Sequence, residues 1–191
     1  MQNLAAKART PRLVPITVKM YLMAQCGAFH PDDRIELVGG KIFDMSPIGS
    51  LHSRCVGFLN SFLWAKVRDE LIVSVHNPII LDDESEPQPD ITLLRRADDF
   101  YKDALPTASD VGLVVEVADT SIEFDRGVKF SRYAAAGIPE AWLVDLINDR
   151  VEVHYAPKDE AYSRSKTFQR GENAVSETIP SIEIPVEDVL G

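Results

Sequence analysis

The run Val111-Gly-Leu-Val-Val-Glu-Val117 constrains the fold more than any other segment of this 191-residue chain. An almost unbroken apolar stretch of this kind predicts a central strand that is buried on both faces. Segments with helical spacing and further strand-like segments lie on both sides of it along the chain. This order favours the α/β class (an α+β mixed sheet), in which a central mixed β-sheet is flanked by helices.

The other elements follow from the spacing of apolar residues and from turn signals. Gly39-Gly40 separates two apolar runs and predicts a hairpin within residues 34–47. Ser50 and Ser121 are expected to cap the helices that follow them. The predicted helices cover residues 17–25, 51–71 and 122–136, and a helical turn is expected at 186–190. The predicted strands cover residues 72–80, 87–94, 111–117, 138–145, 151–156 and 162–168.

Composition limits the classes of function. Thirty acidic residues against twenty basic ones give a formal net charge of −10. A protein that coats nucleic acid through its overall charge must neutralise phosphates, so that class is excluded. Any contact with nucleic acid needs a local basic patch or bound metal ions. No apolar stretch approaches the ~18–20 residues of a membrane span, so no membrane partner is expected.

Length and cysteine content bound the organisation of the chain. Residues 1–12 predict a flexible N-terminal arm, and residues 13–191 predict a single domain. Cys26 and Cys55 are too few for a disulfide framework or a cysteine-rich zinc site. A reducing, cytoplasmic compartment is therefore expected.

Glu116 stands inside the central apolar run, where a carboxylate is costly unless it is paired or bound to a metal ion. Asp90 follows Pro89 where another predicted strand begins, so its side chain can lie at a sheet end. If the two strands are neighbours, the carboxylates meet, and oxygen ligands are what Mg²⁺ prefers. The alternatives are a frayed strand end for Glu116 and a turn residue for Asp90.

Asp125, Lys129 and Tyr133 are spaced by four residues and share one face of the helix predicted over 122–136. This helix follows the strand that carries Glu116, so it can bring Lys129 back to the carboxylates. An ammonium there can orient a water nucleophile and offset charge on a phosphate. The alternative is an exposed Asp125–Lys129 ion pair, which would contribute only ~0.3–0.5 kcal/mol.

Two further residues are candidates for the same site. Glu36 lies in the apolar run Ile35-Glu-Leu37 and is either a third carboxylate of the site or a strand residue that faces solvent. His52 lies at the start of a predicted helix, and its imidazole is either structural or functional, since it titrates near physiological pH.

Taken in order, several short motifs resemble the Uma-two family of restriction-endonuclease-like nucleases, which belongs to the PD-(D/E)XK superfamily. The resemblance extends from about residue 15 to 190. Each fragment is weak alone, but their order and spacing together are specific. The matching fragments are Arg34-Ile-Glu-Leu-Val-Gly-Gly-Lys41, Met45-Ser-Pro47, His52, Pro89-Asp90, Val114-Val-Glu-Val117, Asp125, Lys129, Tyr133, Gly137-Ile-Pro-Glu140 and Trp142-Leu-Val-Asp145.

The resemblance implies a restriction-endonuclease-like core and hydrolysis of DNA phosphodiester bonds that depends on Mg²⁺ or Mn²⁺. Asp90 matches the aspartate of the PD motif, Glu116 the second acid, and Glu36 an early glutamate of the family. The expected metal ligands are Asp90, Glu116 and a backbone carbonyl near Val117. The expected catalytic residues are Asp90, Glu116, Lys129 and Glu36.

The sequence departs from the superfamily pattern directly after Glu116. Ala118 stands two positions later, where a lysine is expected, and Lys129 is the candidate for a lysine that has migrated to the following helix. The segment Asp119-Thr-Ser121 replaces the Ser-Pro-Ser type of loop that is usual in the family. Asp119 therefore adds negative charge near the expected site.

Three functions are compatible with these residues. The leading interpretation is a metal-dependent endodeoxyribonuclease with DNA as substrate, acting as a homodimer because cyclic dimers are the commonest assemblies. The second is a non-catalytic protein that keeps the nuclease fold for nucleic-acid binding or protein assembly. The third is a metal-dependent phosphohydrolase that acts on small molecules or RNA.

Overall fold

The structure is a computed structural model, and it describes residues 14–25, 27–30 and 33–191. The arm predicted over residues 1–12 lies outside the described residues, as does Cys26.

A six-stranded mixed sheet forms the centre of the molecule, with strand order β3-β4-β5-β6-β7-β8. Neighbouring strands are antiparallel except for β5 and β6, which are parallel. The predicted mixed sheet is confirmed. Its strands are β3 (Leu71–Val75), β4 (Ile91–Arg95), β5 (Val111–Ala118), β6 (Glu140–Asp145), β7 (Arg150–Lys158) and β8 (Ala161–Gln169).

Two small antiparallel pairs accompany the central sheet. Strands β1 (Ile35–Val38) and β2 (Lys41–Asp44) form the predicted hairpin, with Gly39 and Gly40 at positive φ in its two-residue turn. Strands β9 (Asn173–Val175) and β10 (Glu183–Pro185) form a second pair that the sequence pattern does not predict. The helices are α1 (Val18–Gln25), α2 (Ser50–Val67), α3 (Ile122–Phe124), α4 (Phe130–Ala135) and α5 (Val186–Leu190).

The central strand β5 is buried along almost its whole length, as predicted. Because side chains alternate along a strand, Val115 and Val117 face one side of the sheet, where they pack with α2 and α5. Val114 and Ala118 face the other side and pack with Phe130 of α4. Glu116 lies between Val115 and Val117 in the sequence, so its side chain points to the opposite face, which is the α4 side of the sheet.

Trp142 lies on the α2 side of the central sheet and not on the α4 side. Because the apolar strand that carries Trp142 directly follows the helix predicted over residues 122–136, the sequence predicts that Trp142 is buried against that helix. It is buried as predicted, but the predicted partner is wrong. Its side chain is buried with Leu59 and Leu63 of α2, because Trp142 is paired in register with Val115 and shares its face. Its indole Nε1 donates a hydrogen bond to Glu140 Oε1 at 2.5 Å.

The helix predicted over residues 122–136 is interrupted. A π-helical turn, Asp125–Lys129, joins α3 to α4. Ser121 precedes α3 without capping it, since its hydroxyl donates to Asp125 Oδ2 at 2.6 Å. Gly49 rather than Ser50 occupies the N-cap position of α2, again without a side-chain cap.

Strand boundaries differ from prediction where prolines and turns intervene. The segment predicted over 72–80 ends as a strand at Val75, because His76 adopts a left-handed backbone with φ of 53°. The strand predicted from residue 87 begins at Ile91, since Pro87 and Pro89 cannot donate to a ladder. Within the described part of the chain, no helix is long and apolar enough to span a membrane.

Candidate active site

Asp90 lies directly before β4 and next to the second acid along the sheet. Ile91 pairs with Val115 of β5 in the antiparallel register, so Asp90 lies beside the segment that carries Glu116 and Val117. The amide of Val117 donates a hydrogen bond to Asp90 Oδ2 at 2.8 Å. The tertiary fold therefore brings together two acids that lie 26 positions apart in the sequence.

Asp90 is surrounded by hydrogen-bond donors. His52 Nε2 lies 3.1 Å from Oδ2, and His76 Nε2 lies 3.1 Å from Oδ1. Burial alone would raise the pKa of Asp90, but the hydrogen bonds from both histidines and the Val117 amide hold the pKa well below its usual value. Asp90 is therefore a carboxylate at neutral pH.

Glu116 has the opposite environment. Its side chain is 3% exposed, and burial raises the pKa well above its usual value, although Lys129 opposes this shift. Lys129 Nζ lies 2.9 Å from Oε1, and the Tyr133 hydroxyl donates to the same oxygen at 2.5 Å. Oε2 accepts no hydrogen bond from the described residues, so one oxygen of Glu116 is left for another partner.

Lys129 links two of the predicted acids. Its side chain is 2% exposed, and Nζ lies 3.0 Å from Glu36 Oε2 as well as 2.9 Å from Glu116 Oε1. Burial would lower the pKa of Lys129, but the surrounding carboxylates outweigh that effect and raise it above its usual value. Lys129 is therefore an ammonium, and the exposed ion pair considered from the sequence is wrong for this residue.

The π-helical turn places Asp125 and Lys129 in the interior together. Asp125 is buried and is held by the Ser121 hydroxyl; among the described residues no ion pair joins it to Lys129. Burial raises the pKa of Asp125, and the charge of Lys129 opposes this rise. Single π-helical turns inside α-helices are frequent at functional sites.

One cavity collects these groups. Its volume is about 80 Å³, and Asp90, Glu116, Glu36 and Lys129 all contribute to its wall. His52, Val117, Asp119 and Asp125 also line it, together with Arg34, Gln88 and the 45–49 and 120–121 segments. The Arg34 guanidinium is held at the rim by a hydrogen bond to the backbone carbonyl of Ser46.

The donor set of the cavity fits a hard divalent cation. Four buried carboxylates, those of Glu36, Asp90, Glu116 and Asp125, line the cavity with one buried lysine, Lys129, which pairs only with Glu36 and Glu116 among the described residues. Glu116 Oε2 is without a donor, and Asp90 Oδ1 has only one. The described residues contain no group of three or more His, Cys, Asp or Glu side chains arranged to hold a metal ion. Mg²⁺ needs only one or two carboxylates, since waters and substrate phosphates complete its shell.

Comparison with known proteins places the chain in a family. Residues 19–187 match the model of the family described as "Uma2: Putative restriction endonuclease". The chain belongs to this family. A crystal structure titled as a putative nuclease belonging to DUF820, from Anabaena variabilis ATCC 29413, is similar with a TM-score of 0.71 and 15% sequence identity. The match covers 92% of this chain and 98% of that chain, and it shows a shared fold. No curated protein matches the chain.

All four catalytic candidates predicted from the sequence lie at this Uma2-family cavity, and so does His52. Val117 also lines it, and its amide donates to Asp90. Their catalytic and metal-binding roles stay predictions.

Two residues of the site were not assigned a role from the sequence. His76 reaches Asp90 because β3 and β4 pair with Val75 opposite Ile91, which places His76 beside Asp90. That register is a tertiary property without a local sequence signal. Tyr133 shares the helical spacing of Asp125 and Lys129, so a signal exists, but only the fold shows that its hydroxyl contacts Glu116.

Proposed function

We propose that this Uma2-family protein is an endodeoxyribonuclease that uses Mg²⁺ or Mn²⁺ to hydrolyse DNA phosphodiester bonds. The observation that carries the proposal is the pairing of buried Lys129 with Glu116 and Glu36 in the cavity that Asp90 also lines. Restriction-endonuclease-like nucleases generally use divalent metals, and an excess of buried carboxylates over lysine is what such a cation would neutralise.

Asp90 and Glu116 are the proposed metal ligands, with the backbone carbonyl of Val117 as a third oxygen. A divalent cation held by these residues would polarise the phosphate and would lower the pKa of a water molecule next to it. The oxygens left for it by the protein are Glu116 Oε2 and the remaining lone pair of Asp90 Oδ1, because the other positions already have donors.

Lys129 is proposed to orient the attacking water and to offset negative charge on the phosphate. Since nearby carboxylates raise its pKa, the ammonium donates hydrogen bonds and does not accept the proton of the water. Glu36 is proposed to hold this ammonium in place, and it completes the acidic set.

The acidity of the protein makes a cation necessary for substrate approach. Five acidic side chains line the cavity, those of Glu36, Asp90, Glu116, Asp119 and Asp125, against Arg34 and Lys129. A phosphodiester meets net repulsion there unless a metal ion offsets it. We also propose a homodimer, which suits cleavage of two strands, and a cytoplasmic location; sedimentation and localisation of a tagged chain test these two points.

Plasmid cleavage tests the proposed function. The wild-type protein should nick or linearise supercoiled DNA with Mn²⁺ or Mg²⁺, and a chelator should stop the reaction. Asp90→Ala should remove the activity. Cleavage that persists in chelator, or equal cleavage by Asp90→Ala, would contradict the proposal. Hydrolysis rates on RNA and on small phosphodiesters distinguish a nuclease specific for DNA from a phosphohydrolase that acts on RNA or small molecules.

A non-catalytic role is the second candidate, and one observation favours it. Protein groups already contact three of the four oxygens of Asp90 and Glu116, so the acids are stable as a structural network. In that case the fold would serve nucleic-acid binding or protein assembly. Calorimetric titration with Mn²⁺ distinguishes the two, because a structural network should show no binding that depends on Asp90.

A further inference from the structure

We propose that His52 is a positioning residue that fixes the carboxylate of Asp90 so that Oδ1 keeps a lone pair with which it could hold a divalent cation. The inference rests on the proposed function, because it concerns how the protein prepares one of the proposed ligands. His52 does not touch the reacting atoms in this account and acts only through Asp90.

The two oxygens of Asp90 are occupied unequally. Oδ2 accepts from both His52 Nε2 and the Val117 amide, and these two donors use its two lone pairs. Oδ1 accepts only from His76 Nε2 and keeps one lone pair. The pair on Oδ2 therefore sets the rotation of the carboxylate about its Cβ–Cγ bond and leaves Oδ1 as the oxygen that can accept a further partner.

His52 makes no other polar contact within the described residues. The buried Nδ1 atom has no hydrogen-bond partner, so Nε2 is the only ring atom that is held. A carboxylate only accepts hydrogen bonds, which places the proton of the ring on Nε2. Asp90 and His52 consequently fix each other, in the manner of an outer-shell donor behind a metal-binding carboxylate.

His76 provides an internal comparison. It also contacts Asp90 at 3.1 Å, but its side chain is 38% exposed, against 14% for His52. It approaches Oδ1, the oxygen that we assign to the cation, from a residue with left-handed φ of 53°. Loss of His76 frees a second lone pair on the same oxygen and leaves the pair of donors on Oδ2 intact.

Calorimetric titration of the full chain with Mn²⁺ tests the assignment. His52→Phe keeps a ring and removes the donor, and it should weaken Mn²⁺ binding roughly 10–100-fold. His52→Gln carries an amide N–H near the position of Nε2 and should recover most of the affinity. Asparagine adopts the left-handed backbone of residue 76 readily, but its side chain is too short to reach Asp90. His76→Asn should therefore weaken Mn²⁺ binding less than His52→Phe. Circular dichroism checks that each variant is folded, and His52→Leu replaces His52→Phe if the latter is not.

The outcomes separate this inference from the proposed function. Wild-type-like Mn²⁺ affinity in His52→Phe, no recovery in His52→Gln, or a larger loss in His76→Asn would each overturn the positioning role while Asp90-dependent binding stands. If the wild-type chain binds no Mn²⁺, or Asp90→Asn binds it equally well, the proposed function itself fails and the inference fails with it.

Discussion

Asp90 and Glu116 lie next to each other in one cavity, but the protein treats them in opposite ways. Asp90 is held by histidine and amide donors that lower its pKa, whereas Glu116 is so deeply buried that its pKa rises despite contact with Lys129. The difference teaches that the same cavity lowers the pKa of one acid and raises the pKa of its neighbour, so that added positive charge would favour the charged form of Glu116 more than that of Asp90. A cation would act mainly on Glu116.

We expect the largest loss of stability when the ion pair between Lys129 and Glu116 is removed. Lys129→Met removes the ammonium that pairs with Glu116 and Glu36, and it keeps most of the side-chain volume. Breaking a buried ion pair leaves uncompensated charge, so the free energy of unfolding should fall by about 3–5 kcal/mol. Urea denaturation at neutral pH measures the change. An unchanged midpoint would mean that the carboxylates are not charged in the folded protein.

Asp90→Asn tests the environment of the other acid by disturbing the hydrogen bonds that Asp90 accepts. Asparagine keeps one oxygen and replaces the other by an NH2 group, which then faces either His76 or the pair formed by His52 and the Val117 amide. All three of these groups donate to the wild-type carboxylate, so in either orientation at least one of them meets another donor. Since hydrogen bonds to charged groups contribute about 1.5–3 kcal/mol, stability should fall by roughly 3 kcal/mol. The same urea series measures it, with Asp119→Asn as the control because Asp119 is exposed at the cavity rim. Equal losses in the two variants would argue against the donor network.

Tyr133→Phe sharpens the comparison by removing a single donor from Glu116. The hydroxyl bonds Oε1 of a carboxylate inside the core, so its loss should cost roughly 1.5 kcal/mol of stability. Tyr162→Phe is the matched control, since the Tyr162 hydroxyl donates to the Ile138 carbonyl away from the cavity. Mn²⁺ titration should respond to Tyr133→Phe and not to Tyr162→Phe. If Mn²⁺ binding changes equally in both variants, the Tyr133 hydroxyl has no specific effect on the metal site.

The pH dependence of stability should have opposite signs for the two acids. Asp90 has a lowered pKa, so its contribution is present above its ordinary value of 3.8 and is lost as the pH falls through the lowered pKa. Glu116 has a raised pKa, so its contribution is present below 4.5 and is lost as the pH rises through the raised pKa.

Relative to wild type, Glu116→Gln should therefore gain stability as the pH rises above 4.5, with a slope of at most about 1.4 kcal/mol per pH unit. The deficit of Asp90→Asn should shrink only below 3.8. Denaturant midpoints across the acid-to-neutral range check both profiles. Parallel profiles would remove the contrast between the two acids.

The local sequence pattern was enough to predict most secondary-structure elements and the candidate site residues. The β-branched run around Glu116 specified a buried central strand, Gly39-Gly40 specified a hairpin, and spacing by four grouped Asp125, Lys129 and Tyr133. These features depend on residues that are close in sequence, where side-chain period and turn chemistry act directly. They were sufficient to select Glu36, Asp90, Glu116 and Lys129, which all line the cavity, but they gave no role to His76 or Tyr133.

Tertiary structure decided how those residues are used. The pairing of β3, β4 and β5 placed His76 and the Val117 amide on Asp90, and the register of β5 with β6 turned Trp142 away from α4. Strand register is set by side chains far apart in the chain, and a shift of one residue reverses every face. The charge states of Asp90 and Glu116 depend in turn on burial and on donors from distant segments, so the sequence alone named the two acids and only the folded chain gave them different properties.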